Sequence, residues 1–291
     1  MYVILGASGN TGSVVAETLL RNREMVRVVG RNKERLAPFV KQGAEEFVAD
    51  ASDSQALTKA FQGARAVYAM IPPFQDRVVD PIARALEAAR VTHVVALSAF
   101  GADKESKTGP VLGLHQLEAR INAIQGLNAL HLRAGYFMEN TLPQVGIIKN
   151  MGKMAGPVRA DLPLPMIATR DVGVAAADAL AKLQFSGKQT RELLGQRDIT
   201  YTETARIIGE ALGKPNLVYT QLPNDQAIPA LMQMGLSRDM AELLIELVES
   251  LNNGHIRALE PRSAANTTPT SFENFVRDVF VRAYQGKADT A

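Results

Sequence analysis

Residues 2–12 read YVILGASGNTG: a short apolar stretch, a glycine-rich turn, and the start of a segment with helical periodicity. No other feature constrains the chain as tightly. Gly6, Gly9 and Gly12 permit a tight turn and close backbone approach, and the free N–H groups and dipole of a helix N-terminus attract an anion. Ser8, Asn10 and Thr11 complete the loop. Glycines at this spacing are common in proteins. Placed between a first strand and a first helix, they predict a cradle for a dinucleotide pyrophosphate, with a purely structural turn as the competing reading.

Apolar, β-branched runs then alternate with amphipathic ones. Residues 2–5, 25–29, 45–49, 66–71, 92–97 and 129–134 read as strands, and residues 11–22, 53–62, 76–90 and 115–125 as helices. Repeated βα units of this kind predict an α/β fold, a Rossmann-like doubly wound parallel sheet with helices on both faces. The alternation fails after about residue 136, where Pro and Gly punctuate 151–165, so a smaller, mostly helical C-terminal lobe is expected. The predicted division is a nucleotide-binding domain over 1–135 with returns at about 164–195, and a substrate lobe over 136–163 and 196–291. The returns are a helix over 169–183 capped by Asp171 and a strand over 191–195. Thr200 and Glu203 have capping-box spacing ahead of a helix that ends near Gly213. A short strand over 216–220 interrupts a stretch that helices dominate to 284, and the tail QGKADTA is expected to fray.

Composition removes several function classes. The 32 basic and 30 acidic side chains leave a net charge of +2, without the excess that a nucleic-acid binder uses to neutralise phosphates. The absence of cysteine excludes disulfides, thiolate nucleophiles and zinc–thiolate sites. No signal peptide is expected from MYVILGASG, no apolar run approaches the roughly 20 residues of a membrane span, and a cytoplasmic setting fits. His93, His131 and His255 lack metal-ligand spacing, so no metal is expected. Partners other than a small-molecule electron acceptor are not expected, save that a homodimer is compatible with the sequence.

The second strand selects the cofactor. A binder of unphosphorylated dinucleotide carries a carboxylate at its end for the adenosine ribose. Here the chain reads VVGRNKER, and Gly30 and Arg31 stand in that place with Asn32, Lys33 and Arg35 behind them. A guanidinium suits a 2′-phosphate, so NADPH is predicted over NADH; a solvated basic helix start is the alternative. Asp50, followed by Ala51, is placed either to meet the adenine amino group or, like Ser52, to cap the next helix. Ile71 and Pro72 end the fourth strand, as a rigid wall beside the nicotinamide ribose or as a plain loop.

The ordered segments GASGNTG, VVGRN, VADASD, ALSAFGAD, LHQLEA, LRAGYFMEN and TTPTSFENF resemble the NmrA-like family of atypical short-chain dehydrogenases/reductases over nearly the whole length. Within it the chain looks like NADPH-dependent quinone, triphenylmethane-dye and azo-dye reductases, and more distantly like NAD(P)-sensing regulators. The resemblance implies a cleft between two lobes, with the nicotinamide lined by Ile71, Pro72, Ser98, Phe100 and the Gly135–Tyr136–Phe137 turn. Phe137, Met138 and Asn140 would face that cleft or fix the turn.

The departures bear on chemistry. Ordinary members of the superfamily use a tyrosine with a lysine one helical turn later; His115 and Ala119 hold those positions here, and Phe100 replaces the usual catalytic hydroxyl. Alcohol oxidation and sugar epimerisation, which need that base, are therefore not expected. Reduction of a quinone or dye asks less, because the acceptor is already electrophilic. His115 is a candidate general acid, since imidazole titrates near pH 6.5, or else a polar residue at a helix start. Tyr136 is a second candidate, or an aromatic wall. The leading expectation is an NADPH-dependent reductase of conjugated electrophiles, the rival a non-catalytic NADP(H) sensor.

Overall fold

The computed structural model describes residues 1–287, so part of the expected frayed tail, 288–291, lies outside the described residues. The chain runs β1 (Tyr2–Leu5), α1 (Asn10–Arg21), β2 (Val26–Gly30), α2 (Lys33–Val40), β3 (Glu45–Val48), α3 (Ser54–Phe61) and β4 (Ala66–Ala69). It continues through α4 (Val79–Ala88), β5 (His93–Ala99), α5 (Leu112–Asn122), β6 (Asn128–Ala134), β7 (Tyr136–Phe137), α6 (Gln144–Met151), β8 (Met154–Gly156) and β9 (Leu164–Ile167). Then come α7 (Thr169–Lys182), β10 (Lys188–Leu193), β11 (Asp198–Ile199), α8 (Tyr201–Ala211), β12 (Tyr219–Gln221), α9 (Asn224–Gln233) and α10 (Arg238–Asn252). The last helix is α11 (Phe272–Phe275), a π-helical turn Val276–Phe280, and α12 (Val281–Tyr284).

Two compact units result: Met1–Glu105, Val111–Ala134 and Thr169–Arg191 form the first, and Ser106–Pro110, Gly135–Ala168 and Glu192–Ala291 the second. The first is built on a seven-stranded sheet ordered β10-β6-β5-β4-β1-β2-β3. Every ladder from β6 to β3 is parallel. This is the doubly wound Rossmann-like order, whose direction reverses between β1 and β4 and opens a crevice at the carboxyl ends of the strands. Buried apolar residues of β1, β4 and β5 pack against Leu57 and Phe61 of α3, Ile82 and Leu86 of α4, and Leu117 and Ile121 of α5. Each such side chain contributes about 1.5–3 kcal/mol by leaving water.

The return to this unit begins at Thr169, whereas the sequence suggested about 164, because β9 pairs instead with β7 and β11 in a three-stranded sheet of the second unit. Asp171, expected ahead of α7 as its cap, is instead the third residue of the helix, buried within the first turn. The expected strand over 191–195 is β10, shifted earlier. Thr200 does cap α8, its Oγ1 accepting the Glu203 N–H at 3.1 Å. The strand over 216–220 is shortened to β12, since Leu217 N–H closes a turn onto the Lys214 carbonyl.

Helices dominate the chain to 284 as expected, but residues 253–271 carry neither helix nor strand. Side-chain hydrogen bonds help to hold this segment in place. Glu192, buried, accepts the Leu259 and Glu260 N–H groups at 2.9–3.0 Å, and Arg262 donates to the Leu194 and Gly195 carbonyls. Among the described residues no helix is long and apolar enough to cross a membrane.

One buried group ties the first unit's stability to pH. His131 on β6 donates from Nε2 to Asn122 Oδ1 at 2.8 Å, and its buried Nδ1 has no partner among the described residues. Burial, helped by Arg133 and Lys188 and opposed by Glu118, lowers its pKa below the ordinary 6.5. The unfolded chain therefore takes up a proton more readily than the folded one. His131's stability contribution is complete above about pH 6.5 and declines as pH falls toward the lower folded value. Thermal unfolding followed from about pH 7 to about pH 5 is expected to show a shallower decline in His131→Gln than in the parent. Equal slopes would remove His131 from that account.

Candidate functional site

The glycine loop has the geometry its sequence demands. Gly6 adopts φ +73°, a left-handed conformation that side chains disfavour. At Gly12 the demand is for space: a Cβ there would lie 2.3 Å from the Gly6 carbonyl oxygen and 3.1 Å from Ala7 Cα. Gly9 is the N-cap of α1, with no side-chain cap and no acidic residue in the first turn. The first intrahelical bond closes from Ser13 N–H to the Gly9 carbonyl at 2.9 Å. Earlier N–H groups of α1 are thus left for an anion, as the fit of a pyrophosphate requires. Thr11 contributes only backbone, because it is buried and its Oγ1 accepts from the Tyr68 hydroxyl at 2.8 Å.

At the end of β2, Arg31 is exposed and makes no hydrogen bond or ion pair among the described residues. The basic run beside it is narrower than its sequence: Lys33 pairs with Glu46 at 2.7 Å, and Asn32 Oδ1 caps α2 by accepting the Arg35 N–H at 3.1 Å. Asp50 and Ser52 do not cap α3. That cap is Asp53, which accepts from Gln55 and Ala56 N–H at 3.0 Å. Asp50 Oδ1 accepts the Ser52 N–H and hydroxyl at 2.8 and 2.7 Å. Those bonds, with Arg31 and Arg77 nearby, hold its carboxyl below the usual range, so an anion stands at the end of β3 with its second oxygen uncommitted. Ala51 follows it, half-buried.

At the ends of β4 and β5, Ile71 is buried and Pro72 half-buried. Ser98 is buried, and its hydroxyl donates to Glu118 Oε1 at 2.6 Å, turning the side chain into the protein. Arg133 on β6 grips the same carboxylate with Nε and Nη2 at 2.9 and 2.6 Å. This buried triad escaped the sequence reading. An arginine inside the apolar strand ALHLRA was the available signal, since buried cations require a partner. Phe100 is buried, its N–H donating to the Ala134 carbonyl at 3.1 Å.

His115 is the fourth residue of α5, which starts at Leu112 because the 3-10 turn Gly109–Val111 leads straight into it. Half-buried, its Nδ1 lies 2.9 Å from the Ala102 carbonyl. A carbonyl only accepts, so Nδ1 carries the hydrogen and Nε2 is the nitrogen that gains or gives a proton.

The remaining predicted residues belong to the second unit. Gly135 sits where a Cβ would come within 2.3 Å of the Pro165 carbonyl oxygen, so β7 could not approach β9 with any other residue there. Tyr136 and Phe137 are half-buried and Asn140 is exposed. Met138 faces no cleft: it is 2% exposed in the core with Ile148, Met154 and Phe272, and fixes the turn. Tyr136 Oη lies 3.0 Å from Tyr201 Oη, a partner the sequence reading missed.

A model of the NmrA-like family matches residues 2–276. The chain belongs to the NmrA-like family. It is 29% identical to (4-alkanoyl-5-oxo-2,5-dihydrofuran-3-yl)methyl phosphate reductase of Streptomyces griseus subsp. griseus, across 90% of each chain. Its fold is similar to that of the NADPH-dependent quinone oxidoreductase of Escherichia coli complexed with NADPH, at TM-score 0.84 and 24% identity, covering 96% of this chain and 100% of that one. Triphenylmethane reductase of Citrobacter sp. complexed with NADP(H) is similar at TM-score 0.79 and 18% identity, covering 99% and 100%. The family member described here is an oxidoreductase, as are its named relatives.

Proposed function

We propose that this NmrA-like oxidoreductase binds NADPH at the β1–α1 loop and reduces a quinone, azo compound or similar conjugated electrophile. The observation that carries the reading is the uncapped N-terminus of α1, with Gly12 pressed to within Cβ-excluding distance of Gly6, beside the unpaired Arg31 at the end of the neighbouring parallel strand. Peptide N–H groups would hold the pyrophosphate, Arg31 the 2′-phosphate and Asp50 the adenine amino group. Bound NADPH supplies the hydride.

The chain's own task is then to orient the acceptor and deliver a proton. With His115 and Ala119 in place of the tyrosine and lysine, the pair that would abstract a proton from an alcohol is missing from those positions. When protonated, His115 Nε2 can give a proton to a reduced acceptor, as can the Tyr136 hydroxyl.

Arg31→Ala tests the cofactor assignment. It is expected to weaken NADPH by about 10- to 100-fold and NADH hardly at all, because a charge-assisted contact contributes about 1.5–3 kcal/mol. Calorimetric titration with both nucleotides measures this. Equal losses for the two would contradict the role given to Arg31.

A further inference from the structure

Three tyrosines meet in the second unit. Tyr201, the first residue of α8, is 3% exposed. It packs edge-on to Tyr136, with ring centroids 6.3 Å apart, and against Tyr219 at 4.6 Å. Tyr219 donates its hydroxyl to the Val158 carbonyl at 2.9 Å and is thereby satisfied. The Tyr201 hydroxyl has one hydrogen-bond partner among the described residues, the Tyr136 hydroxyl at 3.0 Å.

Burial fixes the direction of that bond. If Tyr136 were the donor, the Tyr201 proton would be left in an apolar core without an acceptor, an arrangement native proteins avoid. Tyr201 therefore donates and Tyr136 accepts. The exposed Asn140 side chain also acts to lower the Tyr136 pKa, the direction expected of an amide N–H turned toward the phenol oxygen. The proton of half-buried Tyr136 is not used by Tyr201. Burial raises the pKa of both phenols, Tyr201's well above the ordinary value, with Tyr219 as the titratable neighbour of each, so at neutral pH both are proton donors and not bases.

We infer that Tyr201 is a positioning residue, which holds Tyr136 with its own O–H free for a bound acceptor oxygen and stabilises the phenolate left when that proton departs. The inference rests on the reductase reading and deepens it to acceptors that carry a carbonyl or quinone oxygen. As hydride reaches the conjugated acceptor, a π pair moves onto its oxygen. The Tyr136 O–H bond breaks, an O–H bond forms on the acceptor, and water later returns a proton to Tyr136. The quinone is reduced by two electrons and the nicotinamide oxidised by two.

The test uses full-length protein labelled with 3-fluorotyrosine, with the Tyr136 resonance followed through its alkaline titration. Tyr201→Phe removes a hydrogen bond that favours the phenolate, so the Tyr136 midpoint is expected to rise, whereas Tyr219→Phe leaves it in place. With a quinone acceptor, Tyr201→Phe is expected to lower kcat about 10-fold and to leave the NADPH KM unchanged. An unshifted Tyr136 resonance, or full turnover in Tyr201→Phe, overturns the inference. Wild-type protein that oxidises no NADPH while the shift persists sinks the reductase reading instead. Should Tyr201→Phe not fold, Tyr136→Phe carries the test, with a similar loss of kcat expected and full turnover refuting it.

Discussion

Gly12→Ala is expected to lower affinity for a nicotinamide dinucleotide by about 100-fold or more, the equivalent of roughly 2.8 kcal/mol or above. The added carbon would sit 2.3 Å from the Gly6 carbonyl oxygen and 2.9 Å from its carbonyl carbon, and both are backbone atoms that no rotamer change can move. Relief requires the loop to separate from the first turn of α1, which disperses the N–H groups that would meet the pyrophosphate. Gly6→Ala meets the flexible Met70 side chain at 2.7 Å but also an unfavourable positive φ, so it should weaken binding through strain. Circular dichroism on the same samples separates loss of the site from loss of the fold. Unchanged affinity in folded Gly12→Ala protein would mean that the pyrophosphate does not lie on this loop.

The largest loss of stability is expected from Arg133→Met. Arg133 and Glu118 side chains are 12% and 7% exposed and joined at 2.6 Å, and Ser98 donates to the same carboxylate. Removing the guanidinium leaves a buried carboxylate with only a hydroxyl for compensation. Such changes cost about 3–5 kcal/mol, because the remaining charge stays desolvated. Urea unfolding should show the loss in the transition that involves the seven-stranded sheet. Adding Glu118→Gln to Arg133→Met should recover a substantial part, since a neutral amide still accepts from Ser98 and no charge is stranded. If the double variant were no more stable than the single one, packing by Arg133, and not its charge, would be what matters.

The sequence and the structure agree where the information is local. The first strand, glycine loop and helix occupy consecutive residues, and the spacing of Gly6, Gly9 and Gly12 encodes both the left-handed turn and the close approach. Thr200 and Glu203 likewise mark a helix start three residues apart. Agreement weakens where a residue's role depends on a distant partner. Ser98 meets Glu118 across 20 positions and Tyr136 meets Tyr201 across 65, through strand register and helix face that no local pattern specifies. The three-stranded sheet of the second unit has strands of two to four residues, too short for alternation to be read. Asp53 displaced Asp50 as the α3 cap because three candidate capping residues, Asp50, Ser52 and Asp53, stand within four positions, and helix register alone decides among them.

His115 retains both readings in a defined form. Its Nδ1 bond to the Ala102 carbonyl is the backbone anchor expected of a structural residue, and the same bond leaves Nε2 as the ring nitrogen open to protonation, the form in which an imidazole acts as an acid. Tyr136 differs, since its partner Tyr201 is itself a phenol whose O–H can stabilise the negative charge left on Tyr136 when its proton departs.

The central claim is that this chain couples NADPH bound at the β1–α1 loop to reduction of a conjugated acceptor. Rapid mixing of NADPH-loaded protein with a quinone, followed by the loss of reduced-nicotinamide absorbance, tests it most directly. The account predicts oxidation of the bound nucleotide that repeats with excess NADPH and is strongly reduced in Gly12→Ala. Tight NADPH binding with no oxidation against quinones, azo dyes or triarylmethane dyes would contradict it.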